Sequence, residues 1–260
     1  MEPRASRTIS NPSGFSLIEV AVAVAIIAIL AGALAPLAFK AVNQAREQRT
    51  RTELKNAYEA LFGARDHRVS NMRADYGYAG ASLTQMTTQG AIRAYGTYPA
   101  SPALTGGWNG PYWTGNQSAT GLPQDAWGRS FLLRNIGGGW QLVSLGEDGV
   151  LNSPTQNPQG DDLVYPLPPN PLPVTSMQVN LYKIGGGAAP VATSVTAYTP
   201  STTNVPTATL LGLVSPGLYS TPSIPSGNAV ISVVVPAQAT QSQAVNLSQG
   251  GTVTLNFYFN

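Results

Sequence analysis

An almost entirely apolar stretch near the N-terminus constrains this chain more than any other feature. The stretch runs from Ser13 to Phe39, reads SGFSLIEVAVAVAIIAILAGALAPLAF, and carries one charged side chain, Glu19. About 20 apolar residues are enough for a helix to cross the hydrocarbon core of a bilayer, so this stretch predicts a membrane-spanning segment. A carboxylate in such a segment is costly unless it has a partner, which makes Glu19 a candidate functional residue.

Two other interpretations of the apolar stretch are open. A secretory signal peptide also combines a basic start with an apolar core, and residues 33–35, Ala-Leu-Ala, resemble its cleavage site. The stretch is longer than the usual core of about 7–15 residues, however, and Pro36 follows. A plain membrane anchor explains the length but gives no reason for the spacing of Gly14, Phe15 and Glu19.

A short motif lies at the start of the apolar stretch. The sequence GFSLIEV follows a short basic leader, and this combination resembles the type III signal of type IV pilins and type II secretion pseudopilins. In that family a prepilin peptidase cuts after the glycine and methylates the new N-terminal residue. The resemblance therefore implies that residues 1–14 are a cleaved leader and that the processing site lies between Gly14 and Phe15.

The resemblance also implies how the mature N-terminus acts in filament assembly. Phe15 and Glu19 would be the assembly residues, because the new amine of Phe15 can pair with the Glu19 carboxylate of a neighbouring subunit and neutralise a buried charge. The implied partners are a homo-oligomeric filament, other pseudopilins, the prepilin peptidase and the inner-membrane assembly platform. The implied location is the bacterial inner membrane, crossed once, with the head in the periplasm, or else an extracellular filament.

Beyond the apolar stretch, apolar residues recur at helical spacing with charged residues between them. We predict one N-terminal helix over residues 15–68, with a transmembrane half at 15–39 and an amphipathic half that forms the spine of a head. Pro36 removes a backbone hydrogen bond, so we expect the helix to kink or loosen there. His67 is the only histidine and by itself makes neither a metal site nor a catalytic base.

Most of the basic residues follow directly after the apolar stretch. By the positive-inside rule such a cluster indicates a cytoplasmic flank, but the leader motif favours the opposite orientation, and nearby acidic residues partly offset the cluster. Nucleic-acid binding is the alternative interpretation. We expect no nucleic-acid partner, because aromatic residues are not interleaved with the basic ones. The cluster comprises Lys40, Arg46, Arg49, Arg51, Lys55, Arg65, Arg68 and Arg73.

Residues 69–166 are predicted to form a globular head. Residues 70–124 are rich in Gly, Tyr, Trp, Thr and Asn and predict a long structured loop. Its aromatic residues could bind a sugar or a partner, although such residues more often pin a loop to the helix beneath it. From Asp125 the pattern changes to strands, and residues 129–144 predict a hairpin with its turn at three glycines.

The second part of the head resembles the C-terminal half of the major pseudopilin of type II secretion. The resemblance rests on DAWG at 125–128, on SLGEDG at 144–149 and on GDD at 160–162. The sequence departs from that subfamily in a longer insert at 150–159 and in an alanine, where a proline is usual, after Asp125.

That subfamily has a calcium-binding loop at this place. The resemblance implies that Asp148, Asp161 and Asp162 supply carboxylate ligands, and Leu145 is the candidate carbonyl donor. Calcium takes about six to eight oxygen ligands, and a glycine-rich loop lets backbone carbonyls approach it. The alternative is that the three aspartates cap backbone N–H groups in turns, without a metal.

The chain beyond Asp162 has a different composition, with Lys183 as its only charged side chain. Residues 167–174 are rich in proline and predict a semi-rigid linker between two domains. Residues 175–260 predict a β-sandwich, because apolar residues alternate in segments separated by turn residues. The segment order resembles the prealbumin-like carboxypeptidase regulatory domain. Disorder is the alternative, but the β-branched and aromatic content argues against it. The strand segments are 177–181, 230–235 and 252–259.

These observations predict an α+β fold, with a long N-terminal pilin helix packed on a small antiparallel sheet and followed by a C-terminal β-sandwich. The chain has no cysteine and no cluster that pairs a nucleophile with a base, so we expect no enzyme. The predicted function is a structural subunit of a periplasmic type II secretion pseudopilus that supports protein secretion. The alternatives are a surface type IV pilin-like subunit with an adhesive C-terminal domain, and a sugar-binding protein with an uncleaved anchor.

Overall fold

One long helix, α1, opens the described part of the chain. The computed structural model describes residues 16–63, 71–77, 82–171, 174–225, 227–247 and 251–260. Helix α1 spans Leu17–Phe62 and continues through Pro36. The chain divides into two compact units, Met1–Ala45 and Arg46–Asn260, and α1 runs from the first unit into the second.

Helix α1 ends earlier than its sequence pattern predicts. The backbone N–H of Gly63 donates to the Glu59 carbonyl at 2.7 Å, and Gly63 has a φ of 85°. Glycine adopts this left-handed conformation readily and commonly stops a helix there. The predicted end near residue 68 is therefore too late, and His67 lies outside the described residues.

Strands make up most of the regular structure after α1. The helical elements are α2 (Met72–Tyr76) and a 3₁₀ helix (Leu83–Met86). The strands of the head are β1 (Gly96–Tyr98), β2 (Ser101–Gly106), β3 (Leu132–Ile136), β4 (Gly139–Ser144) and β5 (Leu163–Pro171). The later strands are β6 (Val174–Lys183), β7 (Ser194–Thr199), β8 (Thr207–Leu210), β9 (Gly212–Ser215), β10 (Leu218–Pro225), β11 (Gly227–Val234), β12 (Gln241–Leu247) and β13 (Thr252–Phe259).

The C-terminal half of α1 packs on a three-stranded antiparallel sheet with the order β3-β4-β5. Leu54, Leu61 and Phe62 on the helix are buried in one cluster with Leu142 and Leu163 of the sheet. Burying a side chain of this size contributes about 1.5–3 kcal/mol, so this face holds the helix to the sheet. The predicted hairpin is present as β3 and β4, and the α+β fold is confirmed.

The long loop before this sheet uses its aromatic residues for packing. The Trp108 indole N–H donates to the Gln85 carbonyl at 2.8 Å, and the Trp113 indole N–H donates to the Asn116 carbonyl at 2.9 Å. Tyr112 donates to the Asp75 carboxylate at 2.9 Å. These bonds satisfy the polar atom of each partly buried aromatic side chain, as such side chains require.

Two four-stranded sheets form the C-terminal sandwich, with the orders β13-β6-β10-β9 and β12-β11-β7-β8. Neighbouring strands are antiparallel except β6 and β13, which pair in parallel along their length. Met177, Val179 and Leu181 alternate into the core from β6, and Leu255, Phe257 and Phe259 do so from β13. The predicted segments 177–181 and 252–259 lie within β6 and β13, and the segment 230–235 lies in β11 except for Val235.

The segment predicted to be a linker is largely part of a strand. Strand β5 extends to Pro171 and pairs with β4 through Trp140 and Asn170. Prolines are tolerated here because β5 lies at the edge of its sheet. Gly139 also helps, since a Cβ atom at that position would lie 2.7 Å from the Cβ of Pro169. Whether residues 175–260 fold alone stays a prediction.

The head and the sandwich share a small buried cluster, in addition to the chain connection between them. Tyr98 and Leu104 of the β1–β2 hairpin pack against Val230 of β11. The Tyr98 hydroxyl donates to the Ser201 carbonyl at 2.8 Å and accepts from the Ser201 N–H at 2.7 Å. These contacts join residues far apart in sequence, which local composition does not reveal.

Candidate assembly and metal sites

The N-terminal part of α1 presents apolar side chains on all sides. It is the one helix among the described residues that is long and apolar enough to cross a membrane, with a mean hydropathy of 2.7 in its most apolar 18-residue window. None of that window is buried. Every large apolar side chain from Leu17 to Val42 is between 49% and 89% exposed. A helix that is hydrophobic all round requires lipid or other helices around it.

Glu19 forms a reciprocal pair with Ser16 at the start of α1. The Ser16 N–H donates to Glu19 Oε2 at 2.8 Å, and the Glu19 N–H donates to Ser16 Oγ at 3.3 Å. This arrangement is a capping box, which satisfies two of the backbone N–H groups that a helix N-terminus leaves free. The sequence analysis missed it, although Ser-x-x-Glu before an apolar run is its signature. Gly14 and Phe15 lie outside the described residues, and their role stays a prediction.

The DAWG segment forms a turn that holds the C-terminal half of α1 against the head. Asp125 is fully buried, and its Oδ1 accepts the N–H groups of Trp127 and Arg129, both at 2.9 Å. Its Oδ2 accepts the Ser144 hydroxyl at 2.6 Å. Ala126, which follows Asp125 in the turn, donates its N–H to Thr50 Oγ1 on α1 at 3.1 Å. One carboxylate thus organises the turn that contacts the helix.

We call residues 145–162 the acidic loop. In this loop Asp148 and Asp161 lie on either side of the side-chain amide of Asn152. Asn152 Nδ2 donates to Asp148 Oδ2 at 2.9 Å and lies 3.5 Å from Asp161 Oδ1. The Asp148 N–H donates to Asp161 Oδ2 at 2.8 Å. Hydrogen bonds from the Val150 N–H and from the Asn152 amide lower the pKa of Asp148 below its usual value. Asn152, which the sequence analysis missed, is therefore the centre of this group.

Asp162 lies deeper in the same loop and is only half satisfied. Its Oδ2 accepts the N–H groups of Asn152 and Ser153 at 2.7 and 2.6 Å. Its Oδ1 is buried and accepts no hydrogen bond from the described residues. The Leu145 carbonyl, the fourth predicted ligand, accepts the Gly149 N–H at 3.1 Å.

The donor chemistry of this loop fits calcium, but the side chains do not converge on one centre. Within the described ranges, no group of three acidic or histidine side chains is arranged to hold a metal ion. The Asn152 amide lies between the two carboxylates where a cation would be expected, and it supplies neutral donors instead. All three aspartates cap backbone N–H groups here, as the alternative interpretation predicts.

Two arginines fix the loop from outside. The Arg129 guanidinium donates to the carbonyls of Gly146 and Glu147, and Arg134 donates to the carbonyls of Ser153 and Thr155. A guanidinium carries five donors in a rigid fork, so each arginine can hold two backbone carbonyls of a turn at once. The longer insert at 150–159 is thereby tied to strand β3.

Comparisons with known proteins agree with this architecture. Residues 9–35 match the model of the prokaryotic N-terminal methylation motif, which includes Gly14, Phe15 and Glu19. Residues 81–160 match the model of type II secretion system (T2SS), protein G, which includes Asp148 and ends directly before Asp161. A search of curated proteins found no significant match.

Both matched families describe structural subunits of pili and pseudopili rather than enzymes. The first match lies on the apolar part of α1, and the second lies on the head that packs against the end of that helix. The order of motif, helix and head is the order that the sequence resemblance implied. Together the two matches support a relation to the type IV pilin and type II secretion pseudopilin family.

Proposed function

We propose that this chain assembles into a periplasmic type II secretion pseudopilus and supports protein secretion, with the head in the periplasm. The observation that carries the proposal is the exposed apolar surface of α1 from Leu17 to Val42, which a single chain does not bury. In the membrane, lipid covers this surface. In a filament, the same surface of neighbouring subunits covers it, so one helix serves both states.

Glu19 has a specific part in the proposed assembly. In the separate chain its carboxylate caps α1 through Ser16. After processing by the prepilin peptidase, the amine of Phe15 in an incoming subunit offers a charged partner, and charge-assisted hydrogen bonds are roughly twice as strong as neutral ones. The exchange neutralises the charge within the apolar surface and sets the axial position of the subunit. Other pseudopilins and the inner-membrane assembly platform are the further proposed partners.

The first test is the mass of the mature N-terminus. We expect the chain to begin at Phe15 with a methylated amine, and Gly14→Val to leave the precursor uncut in the membrane. Mass spectrometry of the purified protein measures both. A mature chain that begins at Met1 or Pro36 would contradict processing as a pilin.

The second test separates the charge of Glu19 from its capping role. Glu19→Gln keeps a side chain that can complete the capping box but removes the charge, whereas Glu19→Val removes both. We expect both variants to insert and to be cleaved, and both to give low filament yield. Crosslinking of cysteine pairs introduced along α1 reports subunit register. Wild-type yield and register for Glu19→Gln would show that capping, not charge pairing, is the role of Glu19.

A surface pilin-like subunit with a binding C-terminal domain is the second candidate function. The observation that favours it is that the protein G match ends at residue 160, while strands β6 to β13 follow from Val174. Neighbouring genes for a secretion ATPase and a secretin favour the first candidate, and genes for retraction and adhesion favour the second. Loss of secretion with intact adhesion in a deletion strain would support the pseudopilus.

We also propose that the acidic loop binds calcium once the Asn152 amide leaves the space between Asp148 and Asp161, with Asp162 and the Leu145 carbonyl as the further ligands. The unsatisfied Oδ1 of Asp162 supports this proposal. Binding to the folded state stabilises it by mass action, so the melting temperature should rise with calcium concentration. We expect Asp148→Ala to abolish that rise and Glu147→Ala, an exposed neighbour, to preserve it. A constant melting temperature from chelator to millimolar calcium would leave the loop as a capped turn only.

A further inference from the structure

Strands β6 and β13 present an uncharged row of polar and aromatic side chains on the outside of the sandwich. The two strands are parallel and in register, so equivalent residues lie side by side. Their alternate residues, such as Leu181 and Phe257, are buried in the core. We call the outward residues the outer ladder. The outer ladder consists of Gln178, Asn180 and Tyr182 on β6 and Thr254, Asn256 and Tyr258 on β13.

The two tyrosines of the outer ladder form one exposed pair of stacked rings, which we call the tyrosine step. The rings of Tyr182 and Tyr258 stack with centroids 5.3 Å apart and an interplanar angle of 21°. Tyr182 is 44% exposed and Tyr258 is 56% exposed. Tyrosine offers a large contact area with few rotatable bonds, so an already stacked pair loses little conformational entropy when a ligand packs on it.

The two asparagines of the outer ladder place hydrogen-bonding groups beside this step. Asn180 Nδ2 donates to Asn256 Oδ1 at 3.0 Å, which fixes both amides. An amide has two donors and an acceptor, so Asn180 Oδ1 and the Asn256 amino group keep hydrogen-bonding capacity for a ligand. Strand geometry puts the amide pair about 6.6 Å along the strands from the tyrosine pair. Apolar and polar contacts are thus presented next to each other.

The charge of this part of the chain restricts the ligand. Residues 163–260 contain one charged side chain, Lys183, which follows Tyr182 and so alternates to the opposite side of β6. The outer ladder therefore has no ionic group with which to attract a charged polymer. A purely apolar partner is also a poor match, because it would desolvate the amides without replacing their hydrogen bonds.

We propose that the outer ladder binds a neutral polysaccharide. A sugar ring has an apolar C–H face, which fits the tyrosine step, and hydroxyl groups that donate and accept, which fit the amides of Asn180 and Asn256. This binding site goes beyond the proposed role in filament assembly and does not depend on it. The filament would carry such a site on every copy, and multivalency would strengthen a weak individual contact.

Retention on polysaccharides tests this site with the full-length chain in detergent. The probes are insoluble cellulose and chitin, soluble dextran in affinity gels, and alginate as an anionic control. We expect retention by at least one neutral probe and none by alginate. Tyr258→Ala and Tyr182→Ala should each weaken retention about tenfold, whereas Tyr258→Phe should keep it because stacking requires the ring and not the hydroxyl.

A matched control and a second variant make the outcome decisive. Tyr95→Ala removes a tyrosine that is 43% exposed in the head and should leave retention unchanged. Asn256→Ala should weaken retention without removing an aromatic ring, and circular dichroism checks that each variant is folded. The proposal is overturned if no neutral probe retains the chain or if Tyr95→Ala loses retention equally. It is also overturned if Tyr258→Ala lowers filament yield but not retention, since the face is then a subunit contact.

Discussion

Replacing Asp125 by alanine tests whether one buried carboxylate holds the turn between the helix and the sheet. The carboxylate accepts three hydrogen bonds, from the N–H groups of Trp127 and Arg129 and from the hydroxyl of Ser144. Alanine removes the acceptor of all three hydrogen bonds. The three donors then lack this partner at a position that is fully buried in the native protein. The turn also positions the N–H group that donates to Thr50 on α1.

The expected loss of stability follows from these three donors. Leaving a buried donor without a partner costs about 1–3 kcal/mol, but water entering the space left by the carboxylate would satisfy part of it. We therefore expect Asp125→Ala to lower the free energy of unfolding by about 3–5 kcal/mol, a large effect for one substitution. For a chain of this size each kcal/mol corresponds to about 2–4 °C, so the melting temperature should fall by about 10 °C.

Three further variants separate the contributions in thermal unfolding followed by circular dichroism. Asp125→Asn keeps one acceptor oxygen and should lose less stability than Asp125→Ala. Ser144→Ala removes one donor to Asp125 and the acceptor of the Gly146 N–H, and should cost about 1–3 kcal/mol. Glu147→Ala changes an exposed acidic residue and should lower the melting temperature far less than Asp125→Ala. A fall of less than about 2 °C for Asp125→Ala would refute the argument that the carboxylate organises the turn.

Three other predictions concern the domain contact and the acidic loop. Arg93 lies 4.2 Å from the Tyr98 ring centroid and donates to the carbonyls of Gly96 and Thr97. We expect Arg93→Ala to lower the free energy of unfolding in urea by about 1–2 kcal/mol, and Arg93→Lys to lower it by a smaller amount. Residues 175–260 expressed alone should unfold cooperatively but at a lower temperature than in the full chain, because Val230 loses its contacts with the head. The pKa of Asp148 is lowered in the folded state, so the stabilising effect of its carboxylate is present at neutral pH and is lost as the pH falls through that pKa. The NMR signal of the Val150 N–H should follow this titration. A titration midpoint at or above the ordinary aspartate pKa would contradict the prediction.

Several elements follow from the sequence because short-range properties decide them. The apolar composition from Ser13 to Phe39 is enough to predict a helix that can span a membrane, and α1 contains most of that stretch. The alternating pattern predicts β6, β11 and β13 because a strand with one buried face repeats every two residues. The motif around Gly14 resembles the signal of type IV pilins and pseudopilins, in agreement with the methylation-motif match.

The sequence alone does not determine the arrangement of the acidic loop. Three aspartates and several glycines predict either a calcium site or capped turns, and spacing does not distinguish them. The position of the Asn152 amide between Asp148 and Asp161 depends on how the insert at 150–159 folds back. Arg134 of strand β3 holds the insert through the carbonyls of Ser153 and Thr155. The local sequence pattern does not indicate this contact.

Only the tertiary structure decided which distant segments lie side by side. The proline-rich segment became an edge strand because Gly139 of the neighbouring strand leaves room for Pro169. Tyr182 and Tyr258 stack because β6 and β13 pair in parallel register, although the two residues lie in the first and last strands of the sandwich. Strand propensity is a local property, whereas pairing and register depend on side-chain packing between segments remote in sequence. For that reason the sequence by itself determined the apolar helix, the motif and the strands β3, β4, β6, β11 and β13. The tertiary structure decided which of these elements became neighbours.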